Sequence, residues 1–499
     1  MAVMADPSLS DTNLTQLCMI TANRPDLLER SIASYMHHLD EYGRDYEVTV
    51  FDDSLKASVR RQNRALSQVI ASRNAKIINY IGVEERMDFV ERLGQIGIDP
   101  HTASFSLLNS HIATTSPGIN RNTALLYYAN RLFFSSDDDA ICQPYDLRSG
   151  PQEVTALDQS AASLDFTLCH SKQQATLTKP RYFGDVFSFH EDLLRHEWVK
   201  PREDDDVIEK RPGTRRYTVG VSMSGVVGCS GIPHSRSFLI AHGILRDGFL
   251  EMWKAANSPQ VSTNAVRGAT HPAIDAYNFV FTTTMTGFNN RFLLPPFMPV
   301  GVGEDTLFGT LLSICSPSIV CGHVPVALIH SPPHSRTYRI PPVRLGLAAI
   351  LNLLLSGYKS SASEPSSMLR YTAVGSYLKQ LGALDMVAFE KYVGECTQTL
   401  LSMWVELARQ RLQAYSELPT FWAEVMWEWI SGLEQARDSL NVRARIHQLT
   451  TPYEKDFIRL LRTLTWRYGL LIEAWPDMAS AATELQSTGR GLTMRLMNV

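Results

Sequence analysis

RLFFSSDDDAICQPYD, from Arg131 to Asp146, is the stretch on which the reading of this chain turns. Leu132, Phe133 and Phe134 make a short apolar run bounded by polar turn residues, the pattern of a buried strand. It ends on three consecutive carboxylates, Asp137, Asp138 and Asp139. Acids crowded at a strand end repel one another, and burial makes each costlier to ionise. Such a cluster calls for a cation or for converging hydrogen-bond donors. Magnesium and manganese take oxygen ligands and combine one or two carboxylates with substrate phosphates. The turn is therefore expected to hold Mn2+ or Mg2+, which in turn holds a diphosphate; a solvated acidic turn is the plainer alternative. A second run, Asp204 to Asp206 in REDDDVIEKR, has no strand before it and reads as surface loop.

Upstream, LTQLCMIT (Leu14 to Thr21) reads as a buried strand. Asn23 and Pro25 mark a turn and the start of a helix in which Leu27, Leu28, Ile32 and Tyr35 recur at helical spacing. YEVTVFDDS reads as a strand ending on Asp52 and Asp53, then comes an Arg- and Ala-rich helix to Asn74, and AKIINYIG is a third strand. This order implies a parallel sheet with right-handed crossovers, in which ligands bind beyond the carboxyl ends of the strands. Thr21, Asp52, Asp53 and Asp137 to Asp139 all fall at such ends and are expected to line one crevice. A helical and loop insertion is expected at about 83–117, with His101 and His111 as ordinary surface or packing residues. SPGINRNTALLYYANR then supplies a glycine turn and the Asn120–Arg121–Asn122 start of a helix that leads into the acidic strand.

Downstream, RYFGDVFSF (Arg181 to Phe189) suggests a strand. VGVSMSGVVGCSGIPHSR (Val219 to Arg236) is glycine-rich but lacks a phosphate loop's Lys-Ser/Thr ending, and is expected to form a flexible wall of an acceptor pocket. Beyond Pro295, Pro296 and Pro299, Glu304 and Asp305 open a helix. Acids there suit the helix dipole, and they equally suit a general base at the sugar-bearing end of the crevice. HVPVALIHSPPHSR reads as a strand ending at His330, a candidate metal ligand or a structural histidine, with His334 and Arg336 in the loop after it.

The 499 residues are long enough for two or three domains, and 44% apolar with 20% charged residues is ordinary for a soluble globular protein. A net charge of -4, with scattered basic residues, gives no reason to expect nucleic acid. Seven dispersed cysteines without a CxxC pair suit a reducing, cytoplasmic setting. The most apolar run, LGLAAILNLLLSGY, is 14 residues long, short of the roughly 20 that span a bilayer, and fits a buried helix. The expected organisation is a polar leader at 1–13, an α/β unit at 14–340 and an all-α domain at 341–499. Trp404, Trp422, Trp427, Trp429, Trp466 and Trp475 are expected mainly as core of that last domain. Homo-oligomerisation, acceptor docking or support of the first unit are open roles for it.

Taken in order, TANRPDLLERSIASY, VTVFDDS, INRNTALL, FFSSDDDA, GEDTLFG and IHSPPHSR resemble the motifs of GT-A glycosyltransferases, closest to the large inverting family 2. The resemblance covers roughly residues 14 to 336. It implies a GT-A type, mostly parallel nucleotide-binding sheet flanked by helices, and metal-dependent transfer of a sugar with inversion. The donor is a nucleotide sugar, with a UDP-sugar favoured; the acceptor is unspecified. It implies that Thr21, Asn23, Arg24, Asp52, Asp53, Arg121, Asn122, Asp137 and Asp138 bind the donor. Asp139, Asp137 and His330 would hold the metal, and Asp305 or Glu304 would act as base. Two rivals are a sugar-phosphate nucleotidyltransferase and a non-catalytic binding protein of the same fold. The first wants a basic glycine loop after the opening strand, where this chain has only Arg24.

Overall fold

Alternating strands and helices build the N-terminal part of the chain: β1 (Gln16–Thr21), α1 (Pro25–Glu41), β2 (Glu47–Asp52), α2 (Ala57–Asn74) and β3 (Ile78–Ile81). The computed structural model describes residues 16–74, 77–109, 112–113, 116–149, 153–156, 164–201, 214–230, 261–262, 264–275, 285–333, 337–338, 346–358, 366–414, 420–438 and 457–492. The leader, the acidic run at 204–206, residues 231–236, His111, His334 and Arg336 lie outside them. Pro25 at the first helical position and Asp26 in the first turn start α1, which buries Leu28, Ile32, Tyr35, Met36 and Leu39.

The segment after β3 forms α3 (Val83–Gln95) and α4 (Pro100–Leu107), and exposed His101 lies in α4. α5 (Pro117–Tyr127) leads into β4 (Leu132–Asp137), and β5 (Ala140–Asp146) leaves directly from the acidic run. There follow β6 (Thr155–Ala156), β7 (Leu164–Leu168), α6 (Lys172–Thr178), α7 (Val186–Leu194), β8 (Glu197–Pro201) and β9 (Thr214–Cys229). The remaining strands are β10 (Val261–Ser262), β11 (Asn264–Ala269), β12 (Ala273–Asp275), β13 (Met285–Asn289), β14 (Ile319–His330) and β15 (Thr337–Tyr338). α8 (Glu304–Cys315) sits between β13 and β14. Beyond residue 346 the described elements are all helices: α9 (Leu347–Ser356), α10 (Ser367–Ala383), α11 (Met386–Ala414), α12 (Thr420–Asp438) and α13 (Phe457–Ser487).

Among the described residues thirteen strands form one sheet: nine follow the path β3-β2-β1-β4-β13-β9-β14-β12-β6, and β5, β7, β8 and β11 pair off it. β3, β2, β1 and β4 run parallel, as the alternation requires, with Ile20 beside Phe51 on one side and Asp137 on the other. From β13 onward antiparallel pairs predominate, so the sheet is mixed rather than mostly parallel. The strand order reverses at β1, between β2 and β4, and such a switch point opens a crevice beyond the strand ends.

Two expectations are corrected here. Residues 186–194 are helical, because the Asp185 carboxylate accepts from the Phe187 N–H at the helix start. Residues 219–229 belong to a long buried strand in the middle of the sheet, not to a flexible wall. Their glycines serve close backbone approach: a Cβ at Gly225 would lie 2.5 Å from the Arg267 carbonyl oxygen. Gly228 has φ +108°, a region open to glycine, and a Cβ there would meet the His330 carbonyl oxygen at 2.6 Å.

Both sheet faces are covered, and side chains alternate between them at the strand period of two. Leu17, Met19 and Phe134 enter one apolar cluster with Leu28, Ile32 and Phe187. Cys18, Ile20 and Phe133 enter the other, together with residues of α5, α8 and the C-terminal helices from Leu347 to Leu485. Within the helical segment expected as its own domain, buried residues of α9, α10, α13 and the start of α11 thus belong to a cluster shared with the sheet. Polar contacts reinforce that packing along the proline-bearing segment before α8. Tyr371 Oη donates to the Leu293 carbonyl (3.0 Å), Trp475 Nε1 to Leu294 (2.7 Å) and Tyr468 Oη to Pro296 (3.1 Å). An extended segment has no helix or ladder partner for its carbonyls, and these side chains supply the donors. The tryptophans divide: Trp429 and Trp475 are buried, whereas Trp427 and Trp466 are exposed; the side chain of Trp422 lies outside what the structure describes. Among the described residues no helix is long and apolar enough to cross a membrane.

Candidate functional site

The crevice at the β1 end is built around the carbonyl of Thr21. It accepts from the Asp53 N–H (3.1 Å) and from Asn120 Nδ2 (3.0 Å), which ties β2 and α5 to β1. The Thr21 hydroxyl donates to Asp138 Oδ2 at 2.7 Å, tying in the acidic turn. Asn23, at φ +61°, donates its N–H to Ser54 Oγ (2.7 Å), and its side-chain oxygen accepts from the Leu55 N–H (3.1 Å). It braces the loop after β2.

The two acids of β2 do different work. Asp52 is fully buried and accepts from the Ser54 N–H, Asn63 Nδ2 and Tyr80 Oη, at 2.7, 2.9 and 2.6 Å. Its oxygens are spent inside the fold. Asp53 accepts from Arg86 Nη2 (2.9 Å) and Asn109 Nδ2 (3.0 Å). Arg86, buried on α3, also donates to the Asp52 carbonyl (3.1 Å) and to Asn120 Oδ1 (3.2 Å). The sequence reading missed Arg86 because it lies in the segment taken as an insertion, and nothing local distinguishes it from a solvated helix arginine.

Asn122 is likewise internal: its amide accepts from the Phe297 N–H (2.7 Å) and donates to the Phe297 carbonyl (3.0 Å). Arg121, one residue earlier, faces the acids. Its Nε donates to Glu304 Oε1 (3.2 Å) and its Nη2 to Asp137 Oδ1 (3.1 Å), while buried Nη1 has no hydrogen-bond partner among the described residues. A single guanidinium therefore joins the end of β4 to the start of α8.

On the other side Arg24 reaches both remaining aspartates, Nη2 at 2.8 Å from Asp138 Oδ1 and Nη1 at 3.0 Å from Asp139 Oδ2. His330, ending β14, places Nε2 3.5 Å from Asp139 Oδ1. Its Nδ1 lies 2.7 Å from the Cys229 carbonyl, which can only accept, so Nδ1 carries a proton.

Five carboxylates (Asp137, Asp138, Asp139, Glu304, Asp305) thus gather around Arg24, Arg121 and His330. Burial raises Asp137 and Asp305 despite the opposing charge of Arg121. It pushes Asp138 up to about 8 against the pull of Arg24, and Glu304 up to about 6 against Arg121. Asp139 goes the other way: burial opposes ionisation, but His330 and Arg24 hold it well below the usual carboxylate range. His330 is correspondingly driven to about 10, its contacts with Asp139 and the Cys229 carbonyl outweighing burial. The corner is richer in acid than in cation.

Among the described residues no three His, Cys, Asp or Glu side chains are grouped as a metal cage. The donor set nonetheless fits an ion that draws its other ligands from a substrate, with the His330 Nε2 proton released as the metal binds. A carboxylate oxygen and an imidazole nitrogen face each other, and the second ring nitrogen is anchored on a carbonyl, as metal-bound histidines are. The chain matches no protein-family model and no curated protein sequence.

Proposed function

We propose that this chain transfers a glycosyl group from a nucleotide-sugar donor to an acceptor, with a divalent cation and with inversion, on a fold of the GT-A kind. The observation that carries this reading is Arg121, which meets Asp137 16 residues away and Glu304 183 residues away and so brings the two acidic motifs to one crevice. Its unpartnered Nη1 is a buried donor suited to an anionic oxygen of the donor.

Asp139 and His330 would hold the cation, which supplies charge neutralisation for the diphosphate leaving group. Arg24 would keep the acidic turn ordered when the cation is absent. Glu304 is held by Arg121, whereas half-buried Asp305 accepts, among the described residues, only the Thr306 N–H (2.8 Å). Asp305 is therefore the better base for the acceptor proton, and burial moves its pKa in the direction a base needs.

The test is thermal unfolding with UDP, GDP, dTDP and CMP, each with and without manganese, for the wild type and Asp139→Asn. A ligand at 100 times its dissociation constant adds about 2.7 kcal/mol. A shift with one nucleotide that needs manganese and disappears in the variant supports the reading and names the donor class. No shift with any nucleotide would sink it in favour of a binding protein.

A further inference from the structure

Beside the acid-rich corner lies a basic one that this mechanism does not use. Arg30, in the second turn of α1, donates from Nη2 to the Ser331 carbonyl at 2.9 Å. Lys172, at the start of α6, donates from Nζ to the Ser331 hydroxyl at 2.8 Å. Two cations from distant elements thus converge on one serine, and among the described residues neither pairs with a carboxylate. Like charges held together without a counter-ion are unfavourable unless an anion completes them. Burial and the charge of Arg30 both lower the Lys172 pKa, which reports the same crowding. Ser331 follows His330 directly, and its N–H donates to the Asp139 carbonyl (2.8 Å), so the basic pair adjoins the proposed cation site. Ser331 follows β14, which the sheet order sets on the other side of β1 from β2, the strand before Asp53.

We infer that Arg30, Lys172 and Ser331 form a binding site for a phosphate group carried by the acceptor. This inference rests on the transfer reading above. The two basic side chains would each donate to phosphate oxygens, and the serine hydroxyl, with one donor and two lone pairs, adapts to either. The acceptor's nucleophile would then face Asp305 while its phosphate is held on the opposite wall.

The experiment titrates inorganic phosphate into the metal-free full chain by calorimetry, and UDP with manganese into the same protein. The variants are Arg30→Gln and Lys172→Met, whose side chains lie at or near the surface and leave the core intact. The expected result is a phosphate affinity lowered about tenfold or more in each variant, with UDP–manganese binding unchanged and the two ligands binding together. Phosphate affinity untouched by both substitutions overturns the site. Loss of UDP binding in the same variants, or mutual exclusion of phosphate and UDP, overturns the acceptor assignment and gives the pair to the donor's diphosphate. If no nucleotide binds but phosphate still depends on the pair, the anion site stands and the transfer reading falls.

Discussion

His330 Nε2 stands 3.5 Å from Asp139 Oδ1, the end of β14 set against the turn that follows β4. The two residues are brought together by Gly228, whose missing side chain lets β9 pass the His330 backbone, and by the Cys229 carbonyl that orients the ring. His330→Ala should weaken manganese affinity by at least about tenfold. Electron paramagnetic titration of manganese, with UDP present, measures it; an unchanged affinity would remove His330 from the site.

Arg121 compensates two acids in a buried setting. Arg121→Met should lower unfolding stability by about 3–5 kcal/mol, because Asp137 and Glu304 are left without their cation. Adding Glu304→Gln should recover part of that loss, which denaturant unfolding of the two variants would show.

Asp305→Asn should reduce glycosyl transfer by about 100-fold or more while leaving the manganese-dependent nucleotide shift in place. Steady-state rates and thermal shifts on the same preparation separate the two effects. Full activity in this variant would move the base elsewhere, with Glu304 next in line.

Gly118 carries α5 past the segment before α8, and a Cβ there would lie 2.0 Å from the Met298 carbonyl oxygen. Gly118→Ala must displace backbone, costing roughly 1–3 kcal/mol. Since Arg121 and Asn122 ride on the same helix, the substitution should also disturb nucleotide binding.

His190 is buried between Ser222 Oγ and Ser224 Oγ, each at 2.8 Å, and burial lowers it from 6.5 to about 3. The folded chain keeps it neutral where the unfolded chain protonates it. Its contribution to stability is full above pH 6.5 and falls as pH drops toward 3, by up to about 1.4 kcal/mol per pH unit. His190→Asn should start less stable but show a shallower decline over that window in urea midpoints measured against pH.

Local physics made much of the chain legible in advance. The apolar runs at Leu17 to Ile20 and Leu132 to Phe134, Pro25 at a helix start and Glu304 with Asp305 at another all act through neighbours a few residues away. The alternation of strands and helices then required parallel pairing of β1, β2 and β3, and strand direction put Thr21, Asp53 and Asp137 at one edge. Where the sequence misled, a local signal competed with a distant one. The glycines of β9 looked like a loop until the strands they must approach were in place, and Phe187 and Phe189 looked like strand residues until Asp185 capped their helix.

What only the tertiary structure decided was which acids share a cation and which are internal. Asp52 and Asp53 are adjacent in sequence, yet one is satisfied by Ser54, Asn63 and Tyr80 and the other by Arg86 and Asn109. Arg121 meets Glu304, and Arg30 and Lys172 meet Ser331, across separations of 183, 301 and 159 residues. Residue type and periodicity carry the energy of local turns and faces. Charge pairing at such range depends on where the folded backbone sets each side chain, and no spacing along the chain encodes that.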